Sequence, residues 1–311
     1  VLRNEERALD LEDLRTFVEV ADAGSVSSAA MRLGISKSMA SRRITRLEAE
    51  FGAQLLARTT RGIALTEAGS TFRDYASRIS AELDAARETI LPVGELRGRM
   101  RVAAPLSFGP THFSPVLSQM ARQHPQLHIQ SSYTDRFVDL VGEGFDCAIR
   151  VGYLPDSNLV ARRVGPIFGR LVASPAYIAA HGAPRKPDEI LDHQLVIRDA
   201  ETWQFMDGDK IVRVRPQGRF VADNAISLIA AALDGLGIAY LPEPLVADQI
   251  LSGNLVEVMP AHPIPPAGIF VVRPPGLHPT RKVRVLTEML IECFGNHSTS
   301  GNTTSAGKQD L

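Results

Sequence analysis

What the chain has little of bounds it first. Only two cysteines occur in 311 residues, Cys147 and Cys293, far apart in sequence. No disulfide framework is expected, and each reads as a structural thiol; Cys147, in "FDCAIRV", suits a buried strand. No run approaches the ~18 uninterrupted apolar residues of a membrane span. The opening "VLRNEERALDLEDL" is charged where a secretion signal would be apolar, so a cytoplasmic chain that meets no membrane is expected. Net charge is nearly absent, with 34 Lys+Arg against 35 Asp+Glu. That excludes a uniformly basic nucleic-acid coat and leaves room for a local basic patch. The eight histidines show no metal spacing, since Pro125 breaks any helix between His124 and His128. There is no Gly-x-Ser-x-Gly elbow, no phosphate loop and no grouping of nucleophile, base and orienting acid. No cofactor, no metal and no enzymatic activity are expected.

What is present is globular material, 44% apolar and 22% charged, with length for about two domains. "LEDLRTFVEVADAG" places Leu11, Leu14, Phe17, Val18, Val20 and Ala21 at helical spacing before Gly24. Ser25 can cap a short helix through Leu33; Gly34 permits a tight turn, Ile35 plugs the core, and Ser36 can cap the next helix. In that third helix Ala40, Ile44, Leu47 and Phe51 form one stripe, a helix-turn-helix pattern. On its other side Ser38, Arg42 and Thr45 lie roughly 140–200° from Ala40, flanked by Lys37 and Ser41. Residues 31–66 hold seven basic side chains (Arg32, Lys37, Arg42, Arg43, Arg46, Arg58, Arg61) against two acidic ones, Glu48 and Glu50. A solvated helix face normally mixes signs, so the asymmetry points to a helix whose first turns enter a DNA major groove. "LLARTTRGIALT" reads as a β-wing: Gly62 turns the chain, Arg58 and Arg61 supply cations, and Thr59 and Thr60 supply hydroxyls for the DNA backbone. Arg58 has a second reading, a structural tie from wing to helices.

Residues 13–69, with the patterns "LxxFxxVAxxGSxSxAAxxL", "SxSxxSxxIxxLE" and "LLxRTTRxxxLTEAG", resemble the winged helix-turn-helix of LysR-type transcriptional regulators. Lys37 departs from the family, which often has Gln there; this bears on which bases or phosphates are met. The resemblance implies a DNA-binding regulator whose promoter binding answers to a small-molecule effector. The DNA-binding set is then Ser36, Lys37, Ser38, Ser41, Arg42, Thr45, Arg58, Thr59 and Arg61, within a domain spanning 11–66. Thr66 can cap a long helix over 67–91, stopped by Pro92 and Gly94. Its seam of Phe72, Ala76, Ile79, Leu83, Ala86 and Ile90 asks for a partner. That partner is either the chain's own C-terminal region or, as the resemblance implies, a second copy, giving a homodimer and potentially a tetramer or larger ring. RNA polymerase is a further partner of such a regulator.

From Arg99 the texture alternates strand and helix: "RMRVAAPL", "HFSPVLSQMARQHP", "LHIQSSY", a helix "DRFVDLVGEG", "FDCAIRVG". "GRLVASP", a helix from Pro175, "HQLVIRD", a hairpin around Asp207–Gly208, "GRFVADN", the helix "AISLIAAALDGLG" and "IAYLP" follow. "AGIFVVRP" and a final amphipathic helix close the series. A parallel α/β fold with ligand loops at strand ends is expected. The whole is α/β: a mainly α winged helix-turn-helix, a linker helix, and a C-terminal domain (97–295) that resembles the family's two-lobed, periplasmic-binding-protein-like effector domain. The expected lobes are 97–166 with 266–295, and 167–265; the tail 296–311 is expected to be disordered. Its Asn296 and Asn302 triplets are chance glycosylation matches. Effector-binding candidates at the strand ends are Ser107, Phe108, Tyr133, Thr134, Arg150, Gly152, Asp223 and Asn224, with Trp203 and Phe168 as an apolar wall. Arg150 is either a carboxylate anchor or half of a structural ion pair with an acid such as Asp135. A competing function is a solute-binding protein or enzyme of the binding-protein fold, its N-terminal part serving only assembly; salt-dependent binding of duplex DNA separates the two.

Overall fold

The computed structural model describes residues 9–59, 62–90, 95–199, 201–276 and 278–295. The expectations for Thr60, Arg61, Pro92, Gly94 and the tail 296–311 lie outside the described residues. Contacts divide the chain into two compact units: Val1–Leu96 with Val138–Asp146 and Pro274–Val283, and Arg97–Phe137 with Cys147–Arg273 and Arg284–Leu311.

In the first unit α1 (Leu11–Ala23), α2 (Val26–Leu33) and α3 (Lys37–Phe51) follow their capping signals. Asp10 accepts from the Glu12 amide, Ser25 from Ser28 and Ser36 from Met39, so each helix starts where a short acceptor satisfies an orphan N–H. Gly34, at φ 65°, makes the α2–α3 turn in a conformation that β-carbons disfavour. Leu14, Phe17, Val20, Ala29, Ile44, Leu47, Leu55 and Ala76 form one buried core; Ile35 is half-buried, and Phe51 at the stripe's end is exposed. The wing is β1 (Leu56–Thr59) paired antiparallel with β2 (Gly62–Leu65).

Thr66 caps α4 (Glu67–Ile90), accepting from Gly69 at 2.9 Å while its hydroxyl donates to the Gln54 carbonyl. The sequence seam divides here. Ala76 is fully buried against the helix-turn-helix core and Phe72 packs on Phe17 and Phe51, whereas Ile79 is 43% exposed. Leu83 is half-buried, Ala86 is exposed, and the side chain of Ile90 lies outside the described residues.

The second unit holds two five-stranded sheets. One has the order β4-β3-β5-β14-β6, built from β3 (Gly98–Ala104), β4 (Leu127–Tyr133), β5 (Cys147–Gly152), β6 (Val160–Ile167) and β14 (Ala267–Arg273). The other has the order β11-β8-β12-β7-β13, from β7 (Gly169–Ala173), β8 (Leu195–Ile197), β11 (Phe220–Val221), β12 (Ile238–Pro242) and β13 (Val256–Glu257). A hairpin of β9 (Trp203–Asp207) and β10 (Lys210–Val214) covers the second. Neither sheet is all-parallel, which corrects the expectation: β3 runs parallel to β4 and β5, but β14 is antiparallel to β5 and β6, and β12 to β7. The reason is connectivity. β14 returns from the second sheet and enters the first from the opposite end, and β6, absent from the sequence reading, pairs with it. Helices α5 (Ser114–Gln123), α6 (Pro175–His181), α7 (Ala225–Leu233), α8 (Glu243–Leu251) and α9 (Arg281–Phe294) complete the description; a π-turn over Gly109–Phe113 leads into α5.

"DRFVDLVGEG" is a series of turns, not the expected helix. Asp139 turns its carboxylate onto the amides of Val141 and Gly142, at 3.2 and 3.0 Å, and competes with helical pairing as short acidic side chains do. Gly144, at φ 70°, then ends the turn.

Gly69 of α4 packs directly on the backbone before the wing: a β-carbon there would collide with the Leu55 carbonyl oxygen. Gly69→Ala is expected to destabilise this unit by ~1–3 kcal/mol, the cost of overpacking, read as a lower thermal unfolding midpoint; an unchanged midpoint would contradict the close approach.

Candidate functional site

The cations counted in the sequence fall into two groups. Asp13 of α1 is a carboxylate only 1% exposed. Both of its oxygens accept from the Arg46 fork, Nε and Nη2, and Arg46 also reaches Asp10 at 3.1 Å. Asp13 raises the Arg46 pKa further, so that guanidinium is permanently charged. Arg43 donates to Thr16 Oγ1 at 3.1 Å and lies 3.3 Å from Glu12. Arg32 pairs with Glu19 at 3.0 Å. These three arginines are neutralised by acids of α1, so the local excess of positive charge is smaller than the count implied. Bidentate pairing offsets the desolvation of Asp13 and fixes α3 against α1.

What remains at the start of α3 is a different set. Lys37, Ser38, Ser41, Arg42 and Thr45 are all exposed. Arg42 makes only a long 3.4 Å bond from Nε to the Ser38 carbonyl, and among the described residues neither it nor Lys37 has an ion pair. Ser36 is chiefly the helix cap, sharing a 3.0 Å hydrogen bond with Ser38. Glu48, an acid of the same helix, accepts from the amides of Leu55 and Leu56 at 2.9 and 3.1 Å and braces the turn into the wing. In the wing Thr59 donates to the Gly62 carbonyl at 3.2 Å, and Arg58 is free of ion pairs among the described residues. Among the described residues no ion pair ties Arg58 to the helices. Short exposed hydroxyls and cations of this kind can approach base edges and phosphates.

In the second unit the strand-end candidates separate. Ser107 is nearly buried and its Oγ accepts from the Ala225 amide at 3.0 Å, joining the end of β3 to the start of α7. Asn224 caps α7, accepting from Ser227 at 2.9 Å and donating to Asp223. Two leading amides of α7 are thus taken. Thr134 is half-buried, with its hydroxyl 3.4 Å from the Arg136 amide, and Gly152 sits at φ 118° with open space where a β-carbon would be. Tyr133 bonds Ser114 and packs on Gly109, inside the first sheet's layer. Two expectations are corrected. Trp203 is 0% exposed in the core of the second lobe, its Nε1 donating to Glu201 at 3.0 Å, and so is no cleft wall. Phe108 is buried against Phe113 and His112, because the π-turn carries it inward.

Arg150 does not form the expected ion pair with Asp135. Its Nη1 donates to the Arg136 carbonyl at 3.0 Å and its guanidinium lies 4.8 Å from the Phe137 ring centre. Burial lowers its pKa, partly offset by the charge of Asp135. Burial likewise raises the Asp135 carboxyl, against the Leu106 amide and the charges of Arg198 and Arg150, which lower it. Glu201 is raised by burial, and Tyr240 is raised by burial and by its neighbours Tyr153 and Glu201. Asp135, Glu201 and Tyr240 thus each feel the charge of Arg198. Sequence reasoning named only the first, and only as a partner for Arg150. Arg198 directly follows β8, so the strand-end rule, applied to every strand of the second lobe, would have found it.

Residues 11–70 match the family model described as bacterial regulatory helix-turn-helix protein, lysR family, and residues 94–294 match the LysR substrate binding domain. The chain is 35% identical over 292 residues to the HTH-type transcriptional regulator PtxR of Pseudomonas aeruginosa, covering 92% of this chain and 94% of that one. It is 33% identical over 293 residues to the HTH-type transcriptional regulator DmlR of Escherichia coli, covering 92% and 95%. Among solved structures it is similar to CrgA of Neisseria meningitidis, a LysR-type transcriptional regulator (30% identity, TM-score 0.56, 92% and 99% of the chains). Full-length OxyR C199D of Pseudomonas aeruginosa shares the fold (17% identity, TM-score 0.68, 92% and 96%). The chain therefore belongs to the family of LysR-type transcriptional regulators, with a helix-turn-helix for DNA and a two-lobed domain for a small-molecule effector.

Proposed function

We propose that this chain reads duplex promoter DNA through Lys37, Ser38, Ser41, Arg42 and Thr45 of α3, with Ser36 orienting the helix start and Arg58, Thr59 and Arg61 gripping the backbone beside it. The single observation that carries this reading is the sorting of cations. Arg32, Arg43 and Arg46 are paired with acids of α1, while Arg42, Lys37 and Arg58 have no ion pair among the described residues.

The domain boundaries that go with this reading are 11–66 for DNA binding, 67–91 for dimerisation and 97–295 for effector sensing. The exposed side of α4 supports a homodimer. Phe51, Ala53, Leu55, Ala68, Thr71, Phe72 and Tyr75, with one acid, Glu67, line an open, mainly apolar hollow of about 510 Å³, and Tyr75 is 56% exposed. An apolar surface of this kind on a helix favours burial against a second copy, which brings two recognition helices to one site. Tetramers, contact with RNA polymerase, a cytoplasmic location and the absence of catalysis belong to the same proposal. Effector binding between the lobes favours one spacing of the lobes over another, and that preference biases the paired DNA-binding units and the bend of the promoter.

The test is fluorescence anisotropy with labelled promoter duplexes. Affinity is expected to fall steeply with salt. Arg42→Met should weaken it about tenfold, with a salt slope shallower by about one if a phosphate contact is lost. Binding insensitive to both salt and Arg42 would overturn the reading. For the dimer, Tyr75→Glu with Ile79→Glu is expected to shift sedimentation from dimer toward monomer; an unchanged mass would show that the α4 face is not the interface.

A further inference from the structure

Between the lobes two opposite charges sense each other without meeting. Asp135 follows β4 in the first lobe. Its Oδ1 accepts from the Leu106 amide at 3.0 Å, while its Oδ2 is buried with no hydrogen-bond partner. Arg198 follows β8 in the second lobe. Among the described residues its guanidinium makes no hydrogen bond and no ion pair, although its charge acts on Asp135, Glu201 and Tyr240. Asp135 and Arg198 are therefore near enough to interact yet farther apart than the 4.0 Å of an ion pair.

The Ser107–Ala225 hydrogen bond ties the lobes together close by, and Asp135 is pinned by the Leu106 amide. Its other cationic neighbour, Arg150, is occupied by the Arg136 carbonyl and the Phe137 ring. A buried carboxylate oxygen without a donor is costly and is the kind of orphan that a ligand satisfies. A ligand with only an anionic group would gain Arg198 but leave that oxygen unsatisfied and meet the charges of Asp135 and Asp223. A ligand with only a donor would leave Arg198 unpaired. A ligand with both ends meets the orphan oxygen and the guanidinium together.

We propose that the effector is a small carboxylic acid bearing a hydrogen-bond donor next to the carboxylate, and that it bridges the lobes by pairing its carboxylate with Arg198 and its donor with Asp135 Oδ2. This rests on the regulator reading and deepens it by assigning the ligand class. A hydroxyl and an ammonium group both supply the donor, so 2-hydroxy acids and 2-amino acids are the two sources of one chemistry.

The experiment is calorimetric titration of the full chain with matched sets: propanoate, lactate and alanine, then 3-phenylpropanoate, 3-phenyllactate, phenylalanine and 2-phenylethylamine. At least one hydroxy or amino acid should bind, with its parent acid and the amine weaker by about tenfold or more. Which of the two derivatives binds names the source. Arg198→Gln, at an exposed and unpaired position, should weaken the bifunctional ligand about 10- to 100-fold, as should Asp135→Asn. Parent acids binding as tightly, no binding in either set, or indifference to both substitutions overturns the inference. A ligand of other chemistry that changes DNA affinity would overturn it and leave the regulator reading standing; loss of DNA binding with intact titrations would do the reverse.

Discussion

The Asp13 carboxylate is the constraint on which the proposed DNA-reading surface depends. It is taken out of water on α1, and only the Arg46 fork and the nearby Arg43 make that burial tolerable. Because Arg46 and Arg43 belong to α3, satisfying Asp13 sets the rotation of α3 about its own axis. That rotation turns Ala40, Ile44 and Leu47 inward and leaves Lys37, Ser38, Ser41, Arg42 and Thr45 outward. One buried acid therefore decides which cations hold the domain together and which are free for a polyanion.

The same economy recurs elsewhere in the first unit. Glu48, which a charge count would treat as an acid repelling DNA, is committed to the amides that start the wing. Arg73 of α4 binds Asp22 of α1 at 2.6 Å, so the linker helix is tied to the helix that carries Asp13. In the two-lobed region the polar groups behave differently. There Asp135 Oδ2 is buried without a hydrogen-bond partner among the described residues.

Much of this was legible in the chain. Capping residues and the 3.6-residue stripe located α1, α2, α3 and α4, since those signals are local. The wing followed from the Gly62 turn within "LLARTTRGIALT". The failures have physical causes. Asp139 and two glycines turned an apparently helical segment into turns, because a side chain competing for backbone amides does not alter hydrophobic periodicity. The antiparallel placement of β14 is a matter of chain return, which local pattern does not encode. Trp203 and Phe108 were misplaced because an aromatic near a strand end can face the core as easily as a cleft. The pairing of Arg43 with Glu12 and of Arg46 with Asp13 spans more than thirty residues, so a charge count over residues 31–66 could not see it.

The most direct test of the central claim compares Arg43→Met and Arg46→Met with the parent chain in duplex DNA titrations over a range of salt, alongside thermal unfolding. The expected result is a lower unfolding temperature for both variants and a salt slope parallel to that of the parent, because neither guanidinium contacts phosphate. A slope shallower by about one for each substitution, with unfolding unchanged, would contradict the account and make these arginines DNA ligands.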